Sequence, residues 1–170
     1  VVSTGTGSGK TESFLIPIIN HLMKEVESGS ICRKGVRAMI IYPMNALVND
    51  QIKRLRTILS SYSDITFGFF TGETKEIADE RDYKNRYNVK PGINEKYRIE
   101  EMRDSPPNIL ITNYAMLEHI LIKPENAVEI FNPRSSDLWK FIVMDEAHTY
   151  GGAKGAEVSM LMRRVRHTLN

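Results

Sequence analysis

The chain has 170 residues, 41% hydrophobic and 26% charged, which suits one α/β or α+β domain with its own core and excludes disordered, collagen-like and fibrous chains. Lys and Arg number 23 against 21 Asp and Glu, a formal charge of +2, so a strongly basic nucleic-acid arm is excluded and any polyanion must be held by local groups. One cysteine, Cys32, excludes an internal disulfide or a multi-thiolate metal site and fits a reducing, cytoplasmic setting, and no apolar stretch approaches the ~20 residues of a membrane span. The chain lacks a starting methionine and opens in what reads as mid-strand, so it is expected to be one piece of a larger protein.

Apolar clusters alternate with helical patterns, which predicts an α/β fold: a mainly parallel sheet with helices on both faces. Val1 to Ser3 reads as the end of a first strand. From Lys10 to about Glu27, Phe14, Leu15, Ile18, Ile19, Leu22, Met23 and Val26 recur at helical spacing, and Pro17 is expected to bend that helix slightly. A Ser28-Gly29-Ser30 connector leads to a strand over Arg37 to Tyr42, broken by Pro43. Asn45 to Ser60 predicts a helix with Val48, Ile52, Leu55 and Leu59 on one stripe. A strand over Ile65 to Phe70 ends at Thr71-Gly72. Between residues 73 and 107 about half of the positions are charged, so this stretch is expected to be a solvated excursion with one or two short helices, outside the core. Beyond Pro106-Pro107, Asn108 to Thr112 reads as a strand and Tyr114 to Ile122 as a helix. After a loop with Pro124 and Pro133 come a last strand over Trp139 to Met144 and a closing helix marked by Val158, Leu161, Met162, Val165 and Leu169.

The strongest local signal is Thr4-Gly5-Thr6-Gly7-Ser8-Gly9-Lys10-Thr11, set between a strand end and a helix start. Triphosphate binding needs several backbone N–H groups converging on oxygens; Gly7 and Gly9 let the chain curl closely, and the helix N-terminus adds its positive end. In such a loop Thr6, Gly7, Ser8, Gly9, Lys10 and Thr11 cradle ATP. Lys10 reaches the β and γ phosphates and Thr11 places its hydroxyl on Mg²⁺. A plain flexible loop capping a helix does not require this spelling. The matching acid should follow another parallel strand, because ligands of such sheets sit outside the carboxyl ends. Phe141-Ile142-Val143-Met144 supplies the strand, after which Asp145 is placed to hold Mg²⁺ and Glu146 to orient and deprotonate the attacking water.

With Asp145-Glu146-Ala147-His148 added, the chain resembles the first RecA-like lobe of a superfamily 2 DExH-box (DEAH) helicase over essentially its whole length, residues 1–170. Tyr42-Pro43-Met44-Asn45-Ala46-Leu47 resembles motif Ia, Phe70-Thr71-Gly72-Glu73-Thr74 the short element after the third strand, and Ile111-Thr112-Asn113-Tyr114 motif Ib. The resemblance implies that Pro43, Asn45, Thr71, Gly72, Thr112 and Asn113 line a groove over one nucleic-acid strand, and that His148 bonds across the inter-lobe cleft. Thr4, where the general phosphate loop has glycine, is the small residue usual in superfamily 2. Motif Ia lacks the spelling of DEAD-box RNA helicases and motif II ends in His148, which points away from that subgroup. The closest spellings are those of MrfA-type repair helicases and phage-defence DNA helicases. The resemblance therefore implies an ATP-dependent helicase or translocase that binds single-stranded nucleic acid, DNA over RNA, moves 3′ to 5′, and works with a second RecA-like lobe of the same chain and no membrane. The Ser-Ala-Thr motif, that second lobe and its arginine finger are not in the sequence. A phosphorylating or switching P-loop enzyme leaves motifs Ia and Ib unexplained; an ATP-gated nucleic-acid clamp that hydrolyses without unwinding uses the same lobe and stays open as an alternative.

Overall fold

The computed structural model describes residues 9–72, 74, 77–122, 130–131 and 133–169. The expected strand at Val1 to Ser3, the loop residues Thr4 to Ser8 and Pro124 lie outside the described residues. In chain order the elements are α1 (Lys10–Glu27), β1 (Ala38–Tyr42), α2 (Asn45–Ile58), β2 (Phe67–Phe70), α3 (Glu80–Tyr87), β3 (Glu95–Lys96), α4 (Ile99–Asp104), β4 (Ile109–Asn113), α5 (Tyr114–Ile122), β5 (Phe141–Met144) and α6 (Gly152–Leu169). Among the described residues five strands form one sheet in the order β3-β2-β4-β1-β5, every pair parallel. Among the described residues no helix is long and apolar enough to cross a membrane.

Strand side chains alternate between two cores, as the two-residue period demands. Ala38, Ile40, Tyr42, Phe67, Phe69, Ile109 and Ile111 face one core, with Leu15, Ile18 and Leu22 of α1, Val48, Ile52 and Leu55 of α2 and Tyr83 of α3. Met39, Ile41, Phe70 and Leu110 face the other, with Met102 of α4, Met116, Leu117 and Ile120 of α5 and Leu161 and Val165 of α6. Helices thus cover both faces, which is why β1 is buried at all five positions and reads as a continuous apolar run. The apolar faces read for α1, α2 and α6 from helical spacing are the ones that pack.

The charged stretch departs from expectation only in part. It carries the two short helices α3 and α4, but it also adds β3 to the sheet edge and sends Ile77, Tyr83 and Met102 into the cores. Two of its polar residues, Asn94 and Glu95, are buried with partners. Arg56 of α2 grips the Glu95 carboxylate with Nε and Nη2, both at 2.9 Å, and the Tyr83 hydroxyl donates to the same carboxylate. Asn94 donates its side-chain amide to the carbonyls of Leu59, Tyr62 and Ile65 at 2.9 to 3.1 Å, closing the turn before β2. A buried charge survives when it is paired and hydrogen-bonded, and here the partner comes from a helix far back in the chain.

Arg37, fully buried, fastens the other end of the sheet. Its Nε donates to Glu25 of α1 at 2.8 Å and its Nη1 to the carbonyls of Arg33 and Gly35 at 2.6 and 2.7 Å, which locks the connector between α1 and β1. Gly68 in β2 shows how tightly β3 and α4 close in: an added Cβ would sit 2.7 Å from the Lys96 carbonyl oxygen and 3.0 Å from Met102 Sδ. Gly68→Ala is therefore expected to lower the urea unfolding midpoint by an amount equivalent to about 1–3 kcal/mol, the usual penalty of overpacking, and an unchanged midpoint would show that β3 yields freely.

Candidate nucleotide site and nucleic-acid interface

Because all five strands run the same way, the turns after β1, β2, β4 and β5 emerge on one edge, where sheets of this kind bind ligands. The β5 register pairs Met144 with Ile41, and the Asp145 N–H continues the ladder by donating to the Ile41 carbonyl at 3.0 Å. Asp145 Oδ1 then accepts the Glu146 N–H at 2.8 Å. Glu146 lies in the left-handed region, φ 50 and ψ 40, which costs a non-glycine residue about 1–2 kcal/mol. The turn holds it there: the Glu146 carbonyl accepts from the Thr149 N–H at 2.9 Å and from Thr149 Oγ1 at 2.8 Å. The Glu146 carboxylate is left 35% exposed, with His148 Nδ1 at 3.2 Å. Behind the turn the buried Tyr42 hydroxyl is pushed above its ordinary pKa by burial first and by Asp145 second.

The sequence-based α1 start holds, with Gly9 in left-handed geometry (φ 74, ψ 23) directly before Lys10, a conformation glycine adopts without a Cβ penalty. Thr6, Gly7, Ser8 and the Lys10 side chain lie outside what the structure describes. Thr11 is half-buried on the first turn. Beside it, Glu12 forms an ion pair with Arg54, joining the first turn of α1 to α2.

On the same edge, Asn45 opens α2 and Asn113 ends β4, and their side chains meet: Asn113 Nδ2 donates to Asn45 Oδ1. Asn113 Oδ1 also accepts the Met116 N–H at 2.7 Å and so caps α5. Pro43, Asn45 and Asn113 are half-buried and Gly72 is exposed. The two threonines differ from the sequence-based picture of hydroxyls facing phosphates. Thr112 is fully buried and donates to the Phe70 carbonyl at 2.7 Å; Thr71 is 2% exposed, with its N–H on Thr74 Oγ1 at 2.9 Å and its hydroxyl 3.3 Å from the same oxygen. The Thr112 hydroxyl bonds within the sheet and that of Thr71 within the turn after β2, which leaves Asn45, Asn113 and the Gly72 backbone nearest the surface. Arg163, Arg164 and Arg166 are exposed on α6, as expected of a solvated helix face.

Two features had no sequence signal. The Glu12–Arg54 pair joins helices distant in sequence, and Tyr150, just past the acid turn, packs against Tyr114 at the start of α5 with Lys154 over both rings.

A DEAD/DEAH box helicase family model matches residues 1–170. The chain is 30% identical over 250 residues to Druantia protein DruE of Escherichia coli (strain UMEA 4076-1), an alignment covering 97% of this chain and 14% of that protein. It is 30% identical over 168 residues to ATP-dependent helicase Lhr-Core of Methanothermobacter thermautotrophicus, covering 98% of this chain and 18% of that one. Identity to the uncharacterized ATP-dependent helicase YprA of Bacillus subtilis is 29% over 169 residues, covering 98% and 18%. The chain thus spans less than a fifth of these curated relatives. No solved structure matches it.

The Asn113 geometry makes a graded prediction. Asn113→Ala removes the α5 cap and is expected to cost about 1 kcal/mol, read from the urea midpoint, whereas Asn113→Asp keeps an oxygen for the Met116 N–H and should recover most of that loss. Equal losses in both variants would show that the link to Asn45, not the cap, carries the stability.

Proposed function

We propose, on the premise that this chain belongs to the DEAD/DEAH box helicase family and forms the first RecA-like lobe of a superfamily 2 helicase, that it binds Mg-ATP and one nucleic-acid strand as half of the motor of an ATP-driven DNA helicase or translocase running 3′ to 5′. The observation that carries this reading is the acid turn, in which a hydrogen bond to the neighbouring strand fixes Asp145 and a left-handed backbone presents the Glu146 carboxylate at the carboxyl edge of a parallel sheet. The partner in the motor is a second RecA-like lobe of the same chain. Cys32, free and exposed, fits the cytoplasm as its setting.

The donor set fits Mg²⁺, which needs only one or two protein oxygens beside substrate phosphates: Asp145 Oδ2 has no partner among the described residues, and Thr11 stands on the first turn of α1. Bound there, the ion would supply positive charge to offset that of the phosphates. Lys10, at the head of α1, would supply a positive charge to the same phosphates. Glu146 orients the attacking water and takes its proton as the new P–O bond forms and the bond to the ADP oxygen breaks. For that, Glu146 exchanges its contact with His148 for the water, and His148 is freed to bond across the inter-lobe cleft.

On the strand side, Asn45, Asn113 and the Gly72 backbone offer neutral donors. Such groups position a phosphate backbone without reading bases, so sequence preference is small and the salt dependence shallow, since each phosphate neutralised by a cation on a single strand adds about 0.7 to the slope. DNA over RNA follows from the motif Ia spelling and from His148 at the end of the acid box.

Strand displacement by the complete protein, run on DNA and RNA duplexes with a single 3′ or 5′ tail, tests the reading. Unwinding of 3′-tailed DNA is expected; a requirement for a 5′ tail or an RNA loading strand overturns it, and ATP hydrolysis without displacement marks a clamp. Lys10→Ala should abolish ATP hydrolysis. Glu146→Gln should keep nucleotide binding but slow turnover by about 10²-fold or more, the scale of a lost general base. Equal loss of binding and turnover in Glu146→Gln would remove that residue from the chemistry.

A further inference from the structure

We propose that Tyr150, clasped between Tyr114 and Lys154, is a positioning residue that transmits strand occupancy beside Asn113 to the acid turn carrying Asp145 and Glu146. The inference rests on the reading of this lobe as a helicase motor, and deepens it by naming a link between its two sites.

Tyr150 ends the turn that Asp145 begins, its N–H donating to the Ala147 carbonyl at 3.2 Å. The Tyr150 ring meets the edge of Tyr114, with centroids 6.0 Å apart and planes at 80°, the arrangement aromatic quadrupoles favour. Lys154 Nζ stands 4.6 Å from the Tyr114 centroid and 5.7 Å from that of Tyr150, so one ammonium holds both rings. The backbone is equally close: a Cβ added to Gly155 would lie 2.5 Å from the Tyr150 carbonyl oxygen, so α6 passes directly against the turn.

The hydroxyl of Tyr150 takes no part in this. It is buried and has no hydrogen-bond partner among the described residues, and burial first, then Tyr114 and Asp145, push it up to about 12, so the phenol stays neutral. The ring is what the site uses.

Tyr114 is the first residue of α5 and the chain neighbour of Asn113, which bonds to Asn45 and caps α5. A phosphate backbone gripped at Asn113 shifts the first turn of α5, and with it the Tyr114 ring. The edge contact passes the shift to Tyr150, and the bonds inside the turn pass it to Glu146. Spatial continuity is not coupling, so the link must be measured as one.

The test is steady-state ATP hydrolysis by the complete protein, with and without saturating poly-dT oligonucleotide, for the wild type, Tyr150→Phe, Tyr150→Leu, Tyr114→Leu, Lys154→Met and the Tyr150→Leu/Tyr114→Leu double variant. Tyr150→Phe should match the wild type. Tyr150→Leu should keep basal hydrolysis and oligonucleotide affinity within about two-fold while stimulation falls about five-fold or more, the lower range of measured allosteric couplings. Lys154→Met should lose less in the same direction, and the double variant should be no worse than the worse single one. A purely structural ring would lower the melting temperature and both rates together. Unaltered stimulation in Tyr150→Leu, damage in Tyr150→Phe equal to that in Tyr150→Leu, or additive loss in the double variant overturns the inference. If Tyr150→Leu does not fold, Lys154→Met decides by the same criterion. A wild type that hydrolyses ATP without any response to nucleic acid overturns the motor reading itself, an outcome distinct from a stimulated wild type whose variants are stimulated equally.

Discussion

The pairing of β5 with β1 is the constraint on which the site depends. It begins where the Lys140 and Phe141 N–H groups share the Arg37 carbonyl and ends where the Asp145 N–H reaches the Ile41 carbonyl. Slipping that register by one residue would turn Asp145 to the opposite face of the sheet. The buried Arg37 guanidinium, held by Glu25 and by connector carbonyls, fixes the start of β1 and so sets where the acid turn emerges. A residue buried at one end of the sheet thereby governs a carboxylate exposed at the other.

The two faces of the sheet divide the remaining work. Helices α1 and α2 lie on one face, and the Glu12–Arg54 pair ties the turn after Gly9 to the helix opened by Asn45. A partly exposed ion pair contributes little stability, so its value lies in the relative placement of the two helix starts. Helices α5 and α6 lie on the other face, where α6 presses on the Tyr150 carbonyl and α5 begins at Tyr114. Asn45 and Asn113 join the two arrangements across the edge, with one side-chain hydrogen bond between helix starts on opposite faces.

What the sequence made legible were features governed by local chemistry. The bounds of α1 were readable because a glycine-rich loop precedes its start and apolar spacing marks its buried face. The α/β architecture was readable because strands covered on both faces must be apolar throughout. Composition did not single out the few residues of the segment from 73 to 107 that turn inward, since charge density says nothing about whether a particular Glu95 or Asn94 finds a distant partner; Arg56 and three carbonyls between residues 59 and 65 supply them. The same blindness applies to the threonines of the proposed strand-binding edge. Residue type states that a hydroxyl is present, but only the fold shows that Thr112 spends its proton on Phe70 and Thr71 its amide on Thr74. Nor does spelling show that Glu146 adopts positive φ, because only the surrounding hydrogen bonds make that conformation tolerable for a glutamate.

A lobe of nearly neutral charge could not couple the two ligands proposed for it through a long-range field, because exposed charges about 10 Å apart are already screened at ordinary salt. Coupling must pass through contacts that differ between two arrangements, since a ligand that binds both equally shifts neither. The acid turn has the right build for such a contact. Its hydrogen bonds from Asp145 to Glu146 and from Glu146 to Thr149 make it move as one unit, while its two ends meet different neighbours, Ile41 at the start and Tyr114 at the finish. A turn stiff within and held at both ends transmits a displacement where a flexible loop would absorb it. The left-handed Glu146 is the point in that turn where a small rotation would change what the carboxylate faces, His148 or, in the proposed motor, a water beside the phosphate.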